Sequence, residues 1–286
     1  MSLRARLLFG ALRLVARFSG EMTPEGLRRL APKVPATVDG VTFRTARLGE
    51  VAVEIAEPSG DLDRDVLFLH GGAYVAGSPG AARRLLGSWC RESRSRGWSV
   101  DYRLAPEHPY PAGLDDARAA WLALLEAGVD PSRAVVAGES AGGGLALCLA
   151  IALRDEGLPV PGRLVLFWPW TDLTLSGAAI DENRRRDFLT DSLLDMGRRS
   201  YVGGLPFDDP RVSPLFADLH GLPPTLIQVG GYDRVRDDGI RLAKILEHAE
   251  LQVYPKLPHG WGAEGDTLRE ARASIARAAA WLNHSS

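Results

Sequence analysis

The chain has 286 residues, 45% hydrophobic and 24% charged, with a formal net charge of −2, which suits one large globular domain with a full core. So small a charge leaves no electrostatic footprint for nucleic acid, and Cys90 and Cys148, the two cysteines, are too few for a disulfide framework or a Cys/His metal site. Both read as free thiols, with Cys148 in an apolar helical run, and the expected compartment is the reducing cytoplasm. Residues 1–20 set Leu, Val and Phe at helical spacing, and Arg4, Arg6, Arg13 and Arg17 break any secretory apolar run. They predict an amphipathic helix of the folded protein, with a membrane-surface or targeting role as the alternative. No run of 18 apolar residues exists, so no spanning helix is expected. Residues 41–46 and 51–56 then predict a hairpin.

From there short β-rich runs, at 66–69, 98–102, 134–137, 163–167, 225–229 and 251–254, alternate with helical patterns. Those patterns lie around 114–127, 141–155, 191–202, 236–248 and 266–283. Strands alternating with helices of this length predict an α/β fold with a mostly parallel sheet covered on both faces. Residues 171–215, rich in charge, Gly and Pro, interrupt the alternation and predict a lid or cap insertion, with plain surface loops as the alternative.

Gly138-Glu139-Ser140-Ala141-Gly142 fits G-x-S-x-G, entered from an apolar run and left by a helical one. That strand–turn–helix setting is what a nucleophile elbow requires, with Ser140 on the turn. The alternative is that Ser140 only caps the helix. Upstream, Leu69-His70-Gly71-Gly72-Ala73 resembles the HGGG-type loop of esterases, which presents backbone N–H groups to a developing oxyanion. The expected donors are Gly71, Gly72 and Ala73 on this loop and Ala141 at the elbow, with His70 and Glu139 as supporting motif residues; the alternative is a plain Gly-rich strand-to-helix turn. A serine hydroxyl needs a base, and the base needs a carboxylate to fix its tautomer. Four histidines follow Ser140. His284 is close to the chain's end, His248 ends a helical pattern, and His220 lies well before the penultimate strand. His259 follows the last strand and is the expected base. Asp233 follows the strand before it and is the expected acid, with Asp237, at the start of the next helix, as the alternative.

Taken together these stretches resemble the hormone-sensitive-lipase-like bacterial esterases of the α/β-hydrolase superfamily. The other carriers of the resemblance are Asp101-Tyr102-Arg103-Leu104-Ala105-Pro106-Glu107-His108, Ser213-Pro214-Leu215 and the segment from Asp233 to Asp237. Trp168-Pro169-Trp170-Thr171-Asp172 and His259-Gly260-Trp261 look more like the acetyl-hydrolase and monoterpene-lactone-hydrolase branch. The resemblance implies an α/β-hydrolase fold with an eight-stranded sheet over 41–286, and a helical cap built from residues 1–40 and the insertion near 171–215. It also implies hydrolysis of short- to medium-chain carboxylic esters without cofactor or metal. The expected partner is a small-molecule ester, with no nucleic acid and no membrane span, and a homodimer is left open. Lactone or acetyl-amide hydrolysis by the same residues is the alternative activity. A ligand-binding module of the same fold is disfavoured because His259 is present.

One stretch departs from the pattern. Arg91, Glu92, Arg94 and Arg96 fall where a helix end and a buried strand are expected, which predicts a shortened strand confined to 98–102. Burying unpaired Arg would cost several kcal/mol, so Arg94 and Arg96 are expected to face water.

Overall fold

The computed structural model describes residues 1–18, 20–30 and 35–284. Residues 19 and 31–34 of the expected N-terminal cap lie outside the described residues. The chain opens with helices α1 (Leu3–Phe18) and α2 (Pro24–Leu30), then the antiparallel pair β1 (Val41–Leu48) and β2 (Val51–Pro58). Next come β3 (Arg64–Leu69), α3 (Pro79–Ser93), β4 (Ser95–Val100), α4 (Ala112–Glu126), β5 (Val135–Glu139) and α5 (Ala141–Asp155). After β6 (Arg163–Phe167), the short α6 (Ala179–Glu182) and α7 (Asp191–Tyr201) interrupt the alternation. The chain closes with β7 (Thr225–Gly230), α8 (Arg236–Ile245), β8 (Ala249–Tyr254) and α9 (Arg269–His284).

Among the described residues the strands form one eight-stranded sheet in the order β1-β2-β4-β3-β5-β6-β7-β8, parallel from β4 to β8. Its central strands are buried on both sides, as their continuous apolar runs require: Val66, Leu67, Phe68 and Leu69 of β3 are all inaccessible. Leu67 and Leu69 join the core under α4 and α5, and Val66 and Phe68 join the core under α3 and α9. Alternate residues of one strand thus feed opposite layers.

The charged stretch corrects one expectation. Residues 79–93 form helix α3, which apolar periodicity had not marked, with Ser78 as a capping residue and Pro79 at its first turn. The strand is not shortened to 98–102. It runs from Ser95 to Val100 and pairs along its length with β3. The reason is that Arg96 leaves the strand sideways: it pairs with Glu57 at 3.1 Å and lies 3.9 Å from Asp65, while Ser95, Gly97 and Ser99 turn inward. Arg94 caps α3 in a left-handed conformation and pairs with Asp63 at 3.2 Å. The Arg94 and Arg96 side chains are 58% and 38% exposed, so both charges face water as expected.

Candidate active site

The turn between β5 and α5 brings Ser140 to the C-terminal edge of the sheet with φ 52° and ψ −122°, a conformation unfavourable for a residue with a Cβ. Close packing enforces it. A Cβ on Gly138 would lie 2.1 Å from Gly142 O, and one on Gly142 would lie 2.0 Å from Leu69 O, so strand, turn and helix meet backbone to backbone. Ser140 Oγ makes no capping bond to α5. Instead it lies 2.8 Å from His259 Nε2.

His259 comes from the loop after β8, and Asp233 from the loop after β7. Asp233 Oδ2 accepts from His259 Nδ1 at 3.0 Å, and its Oδ1 accepts from Val235 N at 2.8 Å. Asp233 is fully buried and His259 nearly so. Three side chains separated by 93 and 26 positions in the chain, at 140, 233 and 259, thus form one hydrogen-bonded line. The alternatives lie elsewhere. Asp237 accepts from Ala179 N and Arg236, His220 pairs with Glu247 at the surface, and His248 is exposed.

Burial works against a charged His259. The Asp233 carboxylate, by its charge and its hydrogen bond, outweighs that with help from Asp187 and Glu139, so His259 binds its proton more tightly than an ordinary histidine. A base must be neutral to accept the serine proton, so raising its pKa moves activity loss on acidification to higher pH. The acid limb of kcat/KM is therefore expected to have its midpoint above about 6.5. A pH–rate profile with a soluble p-nitrophenyl ester checks this, and a midpoint well below the ordinary histidine value would contradict it.

The loop after β3 holds three of the four residues whose N–H groups are the expected donors. Gly72 has φ 128°, and a Cβ there would lie 2.2 Å from Ala76 O, so the chain can turn there only without a side chain. Ala73 holds φ 55°, keeping its N–H in the turn despite its methyl group. Among the described residues, the N–H groups of Gly72, Ala73 and Ala141 have no protein acceptor. Gly71 corrects the expectation. Its N–H is directed at Glu139 Oε1 at 3.5 Å, so it ties the loop to the elbow and is not left free as a donor.

His70 is part of the scaffold. Its Nδ1 lies 2.9 Å from Gly71 O, and burial pushes its pKa down to about 4, which keeps the ring neutral. Its ring stacks on Tyr102 at 4.3 Å, and Tyr102 Oη donates to His70 O at 2.7 Å. Ala105 N donates to Tyr74 O at 3.0 Å, so the 101–108 stretch braces the 70–76 loop from outside. Arg28 of α2 adds to the brace by donating to Val75 O and Ala105 O and pairing with Glu107.

One residue had no mark in the sequence. Asp187 sits in Asn183-Arg184-Arg185-Arg186-Asp187, which reads as surface charge, yet it is buried. Its Oδ1 accepts from His259 N at 3.3 Å and Phe188 N at 2.7 Å, and its Oδ2 accepts from Arg234 N at 2.8 Å. One carboxylate from the 171–215 segment therefore ties the loops of Asp233 and His259 together. Burial, with Asp233 nearby, holds its carboxyl above the usual carboxylate range. Arg234, buried beside it, donates to Ile180 O and Leu189 O and fixes the same segment.

Above Ser140 lies a cavity of about 190 Å³, bordered by Gly71, Gly72, Ala73 and His259 below and by Leu27, Phe188, Leu189, Leu193 and Leu194 above. Among the described residues no group of three or more His, Cys, Asp or Glu is placed to hold a metal ion.

Residues 66–263 match the family described as alpha/beta hydrolase fold. The chain is 38% identical over 245 residues to an acetyl-hydrolase of Streptomyces hygroscopicus, covering 82% of this chain and 80% of that one. It is 36% identical over 236 residues to an esterase of Acinetobacter venetianus, covering 82% and 77%. Among solved structures, an esterase of the bacterial hormone-sensitive lipase family superposes with a TM-score of 0.92 at 34% identity, covering 99% of this chain and 98% of that one. EstE5, from a crystal soaked with p-nitrophenyl butyrate, gives 0.91 at 31% identity with the same coverage.

Proposed function

The chain belongs to the alpha/beta-hydrolase family, among its hormone-sensitive-lipase-like bacterial esterases, and from this premise we propose how its residues carry out carboxylic-ester hydrolysis. Ser140 Oγ attacks the ester carbonyl while His259 Nε2 takes its proton. Asp233 stays ionised, holding the tautomer and stabilising the imidazolium. The N–H groups of Gly72, Ala73 and Ala141 receive the oxyanion. His259 then protonates the leaving alkoxide, and a water deprotonated by His259 releases the acid from the acyl-serine. The observation that supports this most is the unbroken line from Ser140 Oγ through His259 to Asp233, opening on the cavity above Ser140.

The acyl group is short to medium in length. A cavity of about 190 Å³ walled by Leu27, Phe188, Leu193 and Leu194 accepts a few methylenes before it is filled. Residues 1–40 and about 171–215 act as the cap, since Leu27 comes from the first segment and Phe188, Leu189, Leu193 and Leu194 from the second. The two buried free cysteines favour the cytoplasm. A panel of p-nitrophenyl esters tests the reading. We expect kcat/KM to peak between acetate and hexanoate and to drop at least about tenfold by laurate. A chain inert on every ester, yet turning over an acetyl amide or a lactone, would transfer the same residues to that leaving group.

A further inference from the structure

Helix α1 has two apolar faces, and the fold uses one of them. Ala5 and Phe9 are buried, Phe9 in the core that also takes in α3 and α9. The helix is tied down at both ends of that face: Ser2 bonds Glu270 of α9, and Arg13 donates to Arg186 O at 3.0 Å. On the far side Leu3, Leu7, Leu14 and Phe18 are 72%, 67%, 59% and 78% exposed. At 3.6 residues per turn these four lie within an arc of about 60°. Arg6, Arg13 and Arg17 flank the stripe on one side and Arg4 on the other, and α1 contains no acidic residue. Beside the helix opens a cavity of about 410 Å³ lined by Arg13, Arg17, Arg184, Arg185 and Arg234, with Asp187 and Asp191. Among the described residues Arg17 and Arg185 form no ion pair. Phe188 and Leu189 line both this cavity and the one over Ser140, so a single wall separates them.

We propose that the outward face of α1 docks on an anionic phospholipid surface, with Leu3, Leu7, Leu14 and Phe18 in the acyl boundary and the arginines on headgroup phosphates. A 16-residue helix with four arginines is too short and too charged to span a bilayer, but its stripe and basic flanks suit lying in the interface plane. A second copy of the chain is disfavoured, because pairing this face with itself would oppose arginines with no carboxylate on the helix to meet them. Docking would bring the wall of the ester cavity against the lipid, from which apolar esters partition. It goes beyond ester hydrolysis and does not depend on the roles of Ser140, His259 and Asp233.

The test is co-sedimentation of the full chain with vesicles of equal parts phosphatidylglycerol and phosphatidylcholine, against pure phosphatidylcholine, at low and high salt. We expect binding to the anionic vesicles that weakens at least about tenfold on pure phosphatidylcholine and at high salt. The exposed triple variant Leu7→Ser/Leu14→Ser/Phe18→Ser, and separately Arg6→Gln/Arg17→Gln, should each weaken binding about tenfold while turnover of soluble p-nitrophenyl acetate is unchanged. Ser140→Ala protein should bind vesicles like the wild type, which separates docking from hydrolysis. Absence of vesicle binding, or equal binding by the variants, overturns the proposal. So does a dimer in sedimentation equilibrium that the triple leucine/phenylalanine variant converts to monomer without any vesicle binding.

Discussion

Ser140→Ala is expected to lower kcat on a soluble p-nitrophenyl ester by on the order of 10⁴- to 10⁶-fold, leaving only what the N–H donors and substrate binding provide. The loss should appear in kcat rather than KM, because the hydroxyl acts on the reacting carbonyl and does not hold the substrate. Stability should move by no more than about 1 kcal/mol. Ser140 Oγ caps no helix, and among the described residues its hydrogen bond is to His259, so removing it strips no support from α5. The unfavourable φ of 52° persists in the variant, since alanine carries the same Cβ. Single-turnover kinetics and a thermal melt on the same preparation check both halves. Undiminished activity would remove Ser140 from the chemistry, and a collapsed melt would make it a structural residue.

Asp233→Asn is expected to cost about 10⁴-fold in kcat, and Asp237→Asn less than about tenfold. The Asp233 carboxylate accepts from His259 Nδ1, which leaves Nε2 free to take the serine proton. An amide at 233 can turn its NH₂ toward Nδ1 and stabilise the opposite tautomer, with the proton on Nε2 and no base facing Ser140. The same change removes the main charge that holds the His259 proton, so the acid limb of the residual activity should move to lower pH. Asp237 lies on α8, where it accepts from Ala179 N and pairs with Arg236, and it makes no bond to His259. Its loss should loosen the join between α6 and α8 and leave the base untouched. The reverse order of effects in steady-state kinetics would reassign the acid.

Much of this site could be read from the chain because its parts carry local constraints. The elbow needs glycines at 138 and 142 to let backbones touch, and those glycines surround the serine in the sequence itself. The loop at 70–73 is legible for the same reason at Gly72. His259 and Asp233 were separated from their rivals by position after the last two strands, which strand–helix alternation makes countable. Asp187 was not legible. Its function-bearing partners are backbone N–H groups at 188, 234 and 259, and no side-chain pattern records a backbone donor. Gly71 misled for a related reason. A glycine in the motif widens the backbone angles open to the loop, but the neighbouring strand end that carries Glu139 decides where the Gly71 N–H points.

The α3–β4 stretch shows the limit from the other side. Its arginines suggested a truncated strand because charge in a central strand has to be paired, and the partners Asp63, Glu57 and Asp65 lie on segments about 30 to 40 positions upstream in the chain. The sequence by itself determined the α/β alternation, the strand–turn–helix around Ser140, the glycine loop at 70–73 and the placing of Asp233 and His259 after the last two strands, since each follows from local periodicity or local steric need. Tertiary structure alone decided which N–H groups stay free, which carboxylate joins the two loops, which side of α1 is left exposed, and how small the cavity over Ser140 is. These depend on contacts between distant segments, where the energy of a buried charge or an apolar face is set by what packs against it.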